Sequence, residues 1–314
     1  MSGQRRPGVI AARRLRSVLV VAGAALVVAC GGGSGASSGT GDEAAGTTGA
    51  TGAPTTTVDT PADGTPADDP PASTATTEAA GPHVRERPAW LGTRVLTAAP
   101  GEPPPATPAE LDPRVLATVD VLPPPADGGF HSTVRPVPAD VVARSTWHEG
   151  CPVGLDDLRD VTVSFWGFDE RAHTGELIVH RRAAEPITRV FAELFEQRFP
   201  IEDLHLTSAD ELGAPDTGDG NASAGFVCRA TRGASSWSQH AYGLAVDINP
   251  FQNPYTREGV VIPGLASSYL DRSTERPGMV RTGDAVTGAF AAIGWQWGGM
   301  WSEPDLMHFS ATGR

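Results

Sequence analysis

Lysine is absent from this chain of 314 residues; all 24 of its basic side chains are arginine. Against 37 acids they leave a formal charge of −13, which excludes nucleic acid as a partner, since phosphate backbones are held by a basic footprint. Cysteine is nearly absent, with three residues, no CxxC pair and no Cys/His cluster. No internal repeat is present. Aromatic residues are sparse at 6%, while glycine (37) and proline (28) together make up about a fifth of the chain. The prolines crowd the first 145 residues, so less of the chain is expected to fold than its length would allow.

The longest apolar run is short. Arg5, Arg6, Arg13, Arg14 and Arg16 form a basic head, followed by about a dozen apolar or small residues from Ser17 to Ala29. That is the pattern of a secretory signal, too short for a comfortable membrane-crossing helix. Val27-Val28-Ala29-Cys30, followed by glycines, resembles a bacterial lipobox, in which the cysteine is lipidated and becomes the new N-terminus. Residues 1–29 are thus expected as a lipoprotein signal peptide and Cys30 as the lipidation site. The chain would then be extracytoplasmic, held at the cell membrane by its lipid alone and facing the cell wall. Cys151 and Cys228 remain as an even pair in an exported protein. A bridge between them would close a loop that contributes very roughly 4–5 kcal/mol in the chain-entropy view.

From Gly31 to Pro82 the only large aliphatic residue is Val58. Such a stretch buries too little apolar surface to offset the entropy of ordering, so 30–82 reads as a disordered tether, spanning roughly 40 Å as a flexible coil. Residues 83–144 set hydrophobic patches between Pro103-Pro-Pro105 and Pro123-Pro-Pro125 and read as partly ordered. From 145 to 314 the composition becomes globular, enough for one core. Val161–Trp166 and Glu176–His180 alternate as strands. Ala183 to Phe199 carries Ile187, Val190, Phe191, Leu194 and Phe195 at helical spacing, with Pro200 as its stop. Further strands are expected at Asp203–Thr207, Leu244–Ile248, Trp295–Trp297 and Met307–Phe309, a loop at Glu211–Ala224, and a helix at Asp284–Ile293. Interleaved short elements of both kinds indicate an α+β fold, a small antiparallel sheet with flanking helices.

The chemistry concentrates in Ser238-Gln-His240-Ala-Tyr-Gly243-Leu-Ala-Val-Asp247 and in Asp305-Leu-Met-His308-Phe309. An aspartate inside an apolar strand needs a partner or a metal. His240, Asp247 and His308 make a neutral-nitrogen, anionic-oxygen, neutral-nitrogen set that suits Zn2+ with a fourth position left open. His173 and His180 lie an odd number of residues apart on one strand and so face opposite ways, which keeps them from sharing a metal. His148 and His205 read as exposed or structural.

The run Ser238-x-His240-x-x-Gly243-x-Ala245-x-Asp247, with Asp305-x-x-His308-Phe309 near the end, resembles the zinc D-alanyl-D-alanine carboxypeptidase family. That family includes VanY-like carboxypeptidases and L-alanyl-D-glutamate endopeptidases, and shares its fold with the hedgehog signalling domain. Trp147-His-Glu-Gly-Cys151-Pro, Phe226-Val-Cys-Arg229, Asp247-Ile-Asn-Pro-Phe-Gln-Asn-Pro-Tyr255 and Gly294-Trp-Gln-Trp-Gly298 extend the likeness over roughly 145–312. The resemblance implies a single hedgehog/DD-peptidase-like domain over 145–314. It makes His240, Asp247 and His308 the zinc ligands, Asp305 the general base and later acid, and Arg229 a catalytic and substrate-binding residue. Many relatives carry glutamate where Asp305 stands, and Glu303 is the alternative base. Ser238 is open between a substrate-binding role and a turn residue. The substrate implied is a peptidoglycan stem peptide, cut by a D-alanyl-D-alanine carboxypeptidase or, alternatively, an L-alanyl-D-glutamate endopeptidase; a non-catalytic cell-wall binding module is a third reading. A monomer is expected.

Overall fold

The computed structural model of the chain describes residues 83–96 and 102–314. The expected signal peptide 1–29, lipidated Cys30 and tether 30–82 lie outside the described residues. Those that are described fall within one compact unit, Ser73–Arg314, and no helix among them is long and apolar enough to cross a membrane.

The first sheet comprises β1 (Ser132–Pro136), β2 (Leu158–Trp166) and β3 (Ala172–His180), with a short helix α1 (Ala139–Ala143) before β2. β2 is central and antiparallel to both neighbours, Val161 standing opposite Val134 and Leu177. Alternation sends Val161, Val163, Phe165, Leu177 and Val179 to one buried face. Burying each stabilises by about 1.5–3 kcal/mol relative to exposure. β3 starts before the expected segment because a tight turn joins it to β2, with Gly167 N–H donating to the Arg171 carbonyl at 2.8 Å. β2 starts earlier at its far end, where Leu158–Asp160 pair with Ile178–His180.

Helix α2 (Arg181–Glu196) begins at once after β3, its cap being the His180 imidazole, which accepts from Arg182 N–H at 3.1 Å. Ile187, Val190, Phe191 and Leu194 are its buried stripe. It stops three residues short of the Phe199 expected from Pro200. Arg198 takes a left-handed φ of 52°, Phe199 N–H donates to the Leu194 carbonyl at 2.9 Å and Arg198 N–H to that of Phe195 at 3.0 Å. These bonds are the Schellman closure, usually signalled by glycine and here made by arginine.

Next come β4 (Asp203–Leu204), α3 (Ala209–Gly213) and β5 (Ala222–Ser223), β4 and β5 pairing in parallel. The loop expected from Glu211 is instead entered by α3, which starts on a reciprocal capping box between Ser208 and Glu211. The remaining elements are β6 (Ala245–Asp247), β7 (Tyr255–Arg257), β8 (Val260–Ile262), α4 (Ala285–Ala292), β9 (Gln296–Trp297) and β10 (His308–Ser310). β10 lies between β6 and β9 in a second antiparallel sheet, and β7 and β8 form a hairpin. Asp284 caps α4 by accepting from Thr287 N–H at 2.8 Å. Phe290 of α4 stacks on Phe309 of β10 at 3.9 Å, so one core joins α2, α4 and both sheets. The architecture is α+β, as expected.

The segment 83–144 is tied into this body. Beyond β1, it buries Leu111, Val115 and Leu116, and Leu111 and Leu116 pack in a cluster with Phe251, Leu265 and Tyr269. Arg114, only 2% exposed, forks onto Glu202 at 2.7 and 2.8 Å and donates to the Asp219 carbonyl at 2.7 Å.

Candidate metal centre

His240 sits on a 3-10 turn, Gln239–Tyr242, that Gly243 closes with a φ of 66°. A side chain at Gly243 would be strained there, and its Cβ would come within 2.5 Å of the His180 nitrogen. That close approach lets His180 N–H donate to the Gly243 carbonyl at 2.8 Å, docking the turn on the first sheet. The chain then enters β6, whose apolar Ala245 and Val246 are buried while Asp247 at its end reaches the cleft. β10 supplies the third residue: His308 is the direct cross-strand partner of Asp247. Residues 61 positions apart are thus brought together by strand register.

His240 Nε2, Asp247 Oδ1 and His308 Nδ1 form a nearly equilateral triangle, with separations of 3.0 Å from Asp247 to His308, 3.1 Å between the histidines and 3.2 Å from His240 to Asp247. His240 Nδ1 lies 2.6 Å from the Gly225 carbonyl, so that nitrogen carries the proton and Nε2 presents a lone pair. At neutral charge the triangle then holds at most one proton, on His308 Nδ1. The 3.2 Å edge sets a lone pair against a carboxylate, an arrangement that calls for a cation. Donor atoms on a tetrahedral metal with bonds of about 2.0–2.1 Å stand about 3.3 Å apart. Both the spacing and the donor set therefore fit Zn2+. Burial raises the Asp247 carboxyl, and positive charge on the His240 and His308 side of the triangle, which a cation there would supply, outweighs it and holds the group far below the ordinary carboxylate range.

Asp305 lies beside the triangle. Its backbone N–H donates to the Gly298 carbonyl at 3.1 Å and it bridges to Tyr255 of β7, so the β7–β8 hairpin and the turn at Gly298 hold it from two sides. Asp305 Oδ1 is buried without a hydrogen-bond partner among the described residues. Burial, reinforced by the Asp247 charge, pushes its carboxyl up to about 7 against the pull of His308 and Arg229. Glu303 is half exposed, with its carboxylate turned to Arg257 at 3.7 Å.

Arg229 and Ser238 also line the cleft, whose volume is about 650 Å³. Cys151 and Cys228 form a disulfide, which fixes the backbone next to Arg229. Ser238 caps the turn carrying His240, its Oγ accepting from His240 N–H at 3.3 Å. The site thus gathers Arg229, Ser238, His240, Asp247, Asp305 and His308. Tyr255, Trp237 and Trp301 also line it. The first belongs to the Asn253-Pro-Tyr255 motif, and the two tryptophans adjoin the His240 and Asp305 motifs in sequence, where the cluster Trp237, Tyr242, Trp295, Trp297 and Trp301 is expected to be mostly core with one or two members walling the cleft.

The other histidines serve elsewhere. His173 is buried between Asp120 and Asp169, at 2.8 and 2.9 Å. His205 lies between Asp203 and Glu211, at 2.7 and 2.9 Å. His148 Nε2 lies 3.7 Å from Cys228 Sγ.

Residues 231–311 match the family model described as D-alanyl-D-alanine carboxypeptidase. The matched stretch includes His240, Asp247, Asp305 and His308 and does not extend to Arg229, Cys151 or Cys228. No curated protein and no solved structure matches the chain. The matched stretch is similar to that family and covers well under half of the chain.

Proposed function

We propose that the chain is a zinc-dependent hydrolase of peptidoglycan stem peptides, acting as a D-alanyl-D-alanine carboxypeptidase. The observation that carries this reading is the triangle of His240, Asp247 and His308, with the unpartnered Asp305 oxygen beside it, inside the stretch that matches the family. His240 Nε2, Asp247 Oδ1 and His308 Nδ1 would hold the ion. When bound, Zn2+ supplies a Lewis acid for the scissile carbonyl and lowers the pKa of water toward about 7.

The protein's own groups do the remainder. Asp305 takes a proton from the attacking water and returns it to the leaving amine. Its buried, unpartnered oxygen favours it over Glu303, which faces Arg257. Arg229 makes no ion pair with a carboxylate among the described residues; its guanidinium donates to the Ala230 carbonyl at 3.3 Å and keeps further N–H groups to fork onto a substrate carboxylate or to face the developing oxyanion. The His240–Gly225 bond fixes the ring so that the same nitrogen always faces the cleft. The N-terminal signal and Cys30 support display outside the cytoplasm on a lipid anchor, within reach of the cell wall.

The test is incubation of the zinc-loaded chain with defined muropeptides, with and without chelator, read by mass spectrometry. A chelator-sensitive loss of one alanine from a pentapeptide is the expected product. Release of the stem peptide lacking its L-alanine would replace this reading with the endopeptidase. Binding without any product would replace it with the cell-wall binding module.

A further inference from the structure

Arg229 is accompanied in the cleft by Arg232, whose surroundings differ from those of the arginines that tie the fold together. In a chain of charge −13, Arg87, Arg114, Arg135, Arg144, Arg181, Arg276 and Arg281 are all paired with carboxylates. Arg232 lines the same cleft as the metal triangle, is exposed, and its guanidinium has no partner among the described residues. It sits on a tight hairpin whose base carries Arg229 and Ser238, closed by the Ala230–Trp237 bridge and by Thr231 N–H donating to the Ser236 carbonyl at 2.8 Å. The Arg232 carbonyl accepts from Arg257 Nη1 at 3.3 Å. Its backbone is therefore anchored while its charge is left unused. Glu303, which also lines the cleft, faces Arg257 rather than Arg232.

We propose that Arg232 is a specificity residue that reads a second carboxylate on the substrate, further from the reaction centre than the one near Arg229. The cleft would thus select acidic peptides with a free side-chain carboxylate some residues away from the scissile amide. The proposal rests on the peptidase reading above for the placement of the scissile bond. Arginine suits the task because its planar fork matches a carboxylate. The contact is partly solvated, so its contribution is modest and screened by salt. Trp237, adjoining the hairpin and 38% exposed, offers an apolar surface for the peptide stretch between the two charges.

The experiment uses the full zinc-loaded chain and two synthetic pentapeptides ending in D-alanyl-D-alanine, identical except that one side-chain carboxylate is free or amidated. Dissociation constants are measured by calorimetry and kcat/KM by product release. The wild type is expected to prefer the free carboxylate by about three- to tenfold, mostly through binding. Arg232→Ala should bring that ratio close to one, and Arg232→Lys should keep part of it, since the charge remains without the fork. Because only the carbonyl of Arg232 bonds to Arg257, these substitutions leave the anchoring bond in place. An undiminished ratio in Arg232→Ala would overturn the proposal, as would a wild type that binds both peptides equally. If the wild type cleaves neither peptide but shows an Arg232-dependent binding preference, the proposal stands and the peptidase reading fails.

Discussion

Two buried charged clusters of this chain are built on opposite principles. Around Arg114 every charge is answered: Glu202 takes the guanidinium fork and accepts again from Asn221 at 2.7 Å, Asp219 lends its carbonyl, and the Arg114 ring-facing side lies over Phe251 at 4.5 Å. Around Asp247 the account is left open, with lone pairs converging on one point and with Asp305 Oδ1 and His308 Nε2 lacking partners. A satisfied network holds parts of a fold together, whereas an unsatisfied one is stable only with something added. The contrast separates the cluster that ties residues 83–144 to the body from the cluster that, on the proposed function, would receive an ion and a substrate.

The sharpest way to break the comparison is to remove the central carboxylate of each. Asp247→Ala should abolish stoichiometric zinc binding and lower kcat/KM by at least about a thousandfold, a loss of more than about 4 kcal/mol in transition-state stabilisation. The melting temperature of the chelated protein at pH 8 should barely move, because losing the hydrogen bond to His308 is offset by no longer burying a carboxylate against the His240 lone pair. A large drop in that chelated melting temperature would show that the triangle is a structural cluster like the other one.

Arg114→Ala should do the reverse. It strands Glu202 in the interior and is expected to cost about 3–5 kcal/mol of stability, while the double replacement Arg114→Met with Glu202→Leu should recover most of that loss. Denaturant unfolding measures both, and zinc stoichiometry should survive in whatever fraction remains folded. If the single variant is as stable as the wild type, the segment 83–144 is held by its apolar contacts alone.

The two clusters were unequally legible in the sequence. His240, Asp247 and His308 carry their chemistry in residue type and motif spacing, and the apolar run around Asp247 reads as a strand because alternation and burial act locally. The strand register that sets His308 opposite Asp247 is a long-range fact, but two motifs were enough to anticipate the meeting. Arg114 gave no such signal. It lies in a proline-rich stretch whose local composition resembles a linker, and its partners Glu202, Asp219 and Phe251 are distant in sequence and belong to no pattern. The end of α2 escaped for a related reason, since Arg198 adopts a left-handed backbone that is normally foretold by glycine. The α3 start was visible as Ser208-x-x-Glu211, but the surrounding glycine and aspartate masked it.

His205 tests the same distinction at smaller scale, because it is a satisfied charge near the surface rather than a buried one. Its hydrogen bond to Asp203, opposed by burial and aided by Glu211, raises the imidazole pKa from 6.5 to about 9. A pKa raised in the folded state means that the folded protein holds the proton more tightly than the unfolded chain does. The resulting stability is fully present below about pH 6.5 and is lost as pH rises through about 9, amounting to on the order of 1–2 kcal/mol. Unfolding free energies measured at pH 6, 7.5 and 9.5 should therefore decline for the wild type, and His205→Gln should flatten that decline. A wild-type profile that stays level across this window would mean that Asp203 and Glu211 hold the ring by position alone, with no proton bound preferentially on folding.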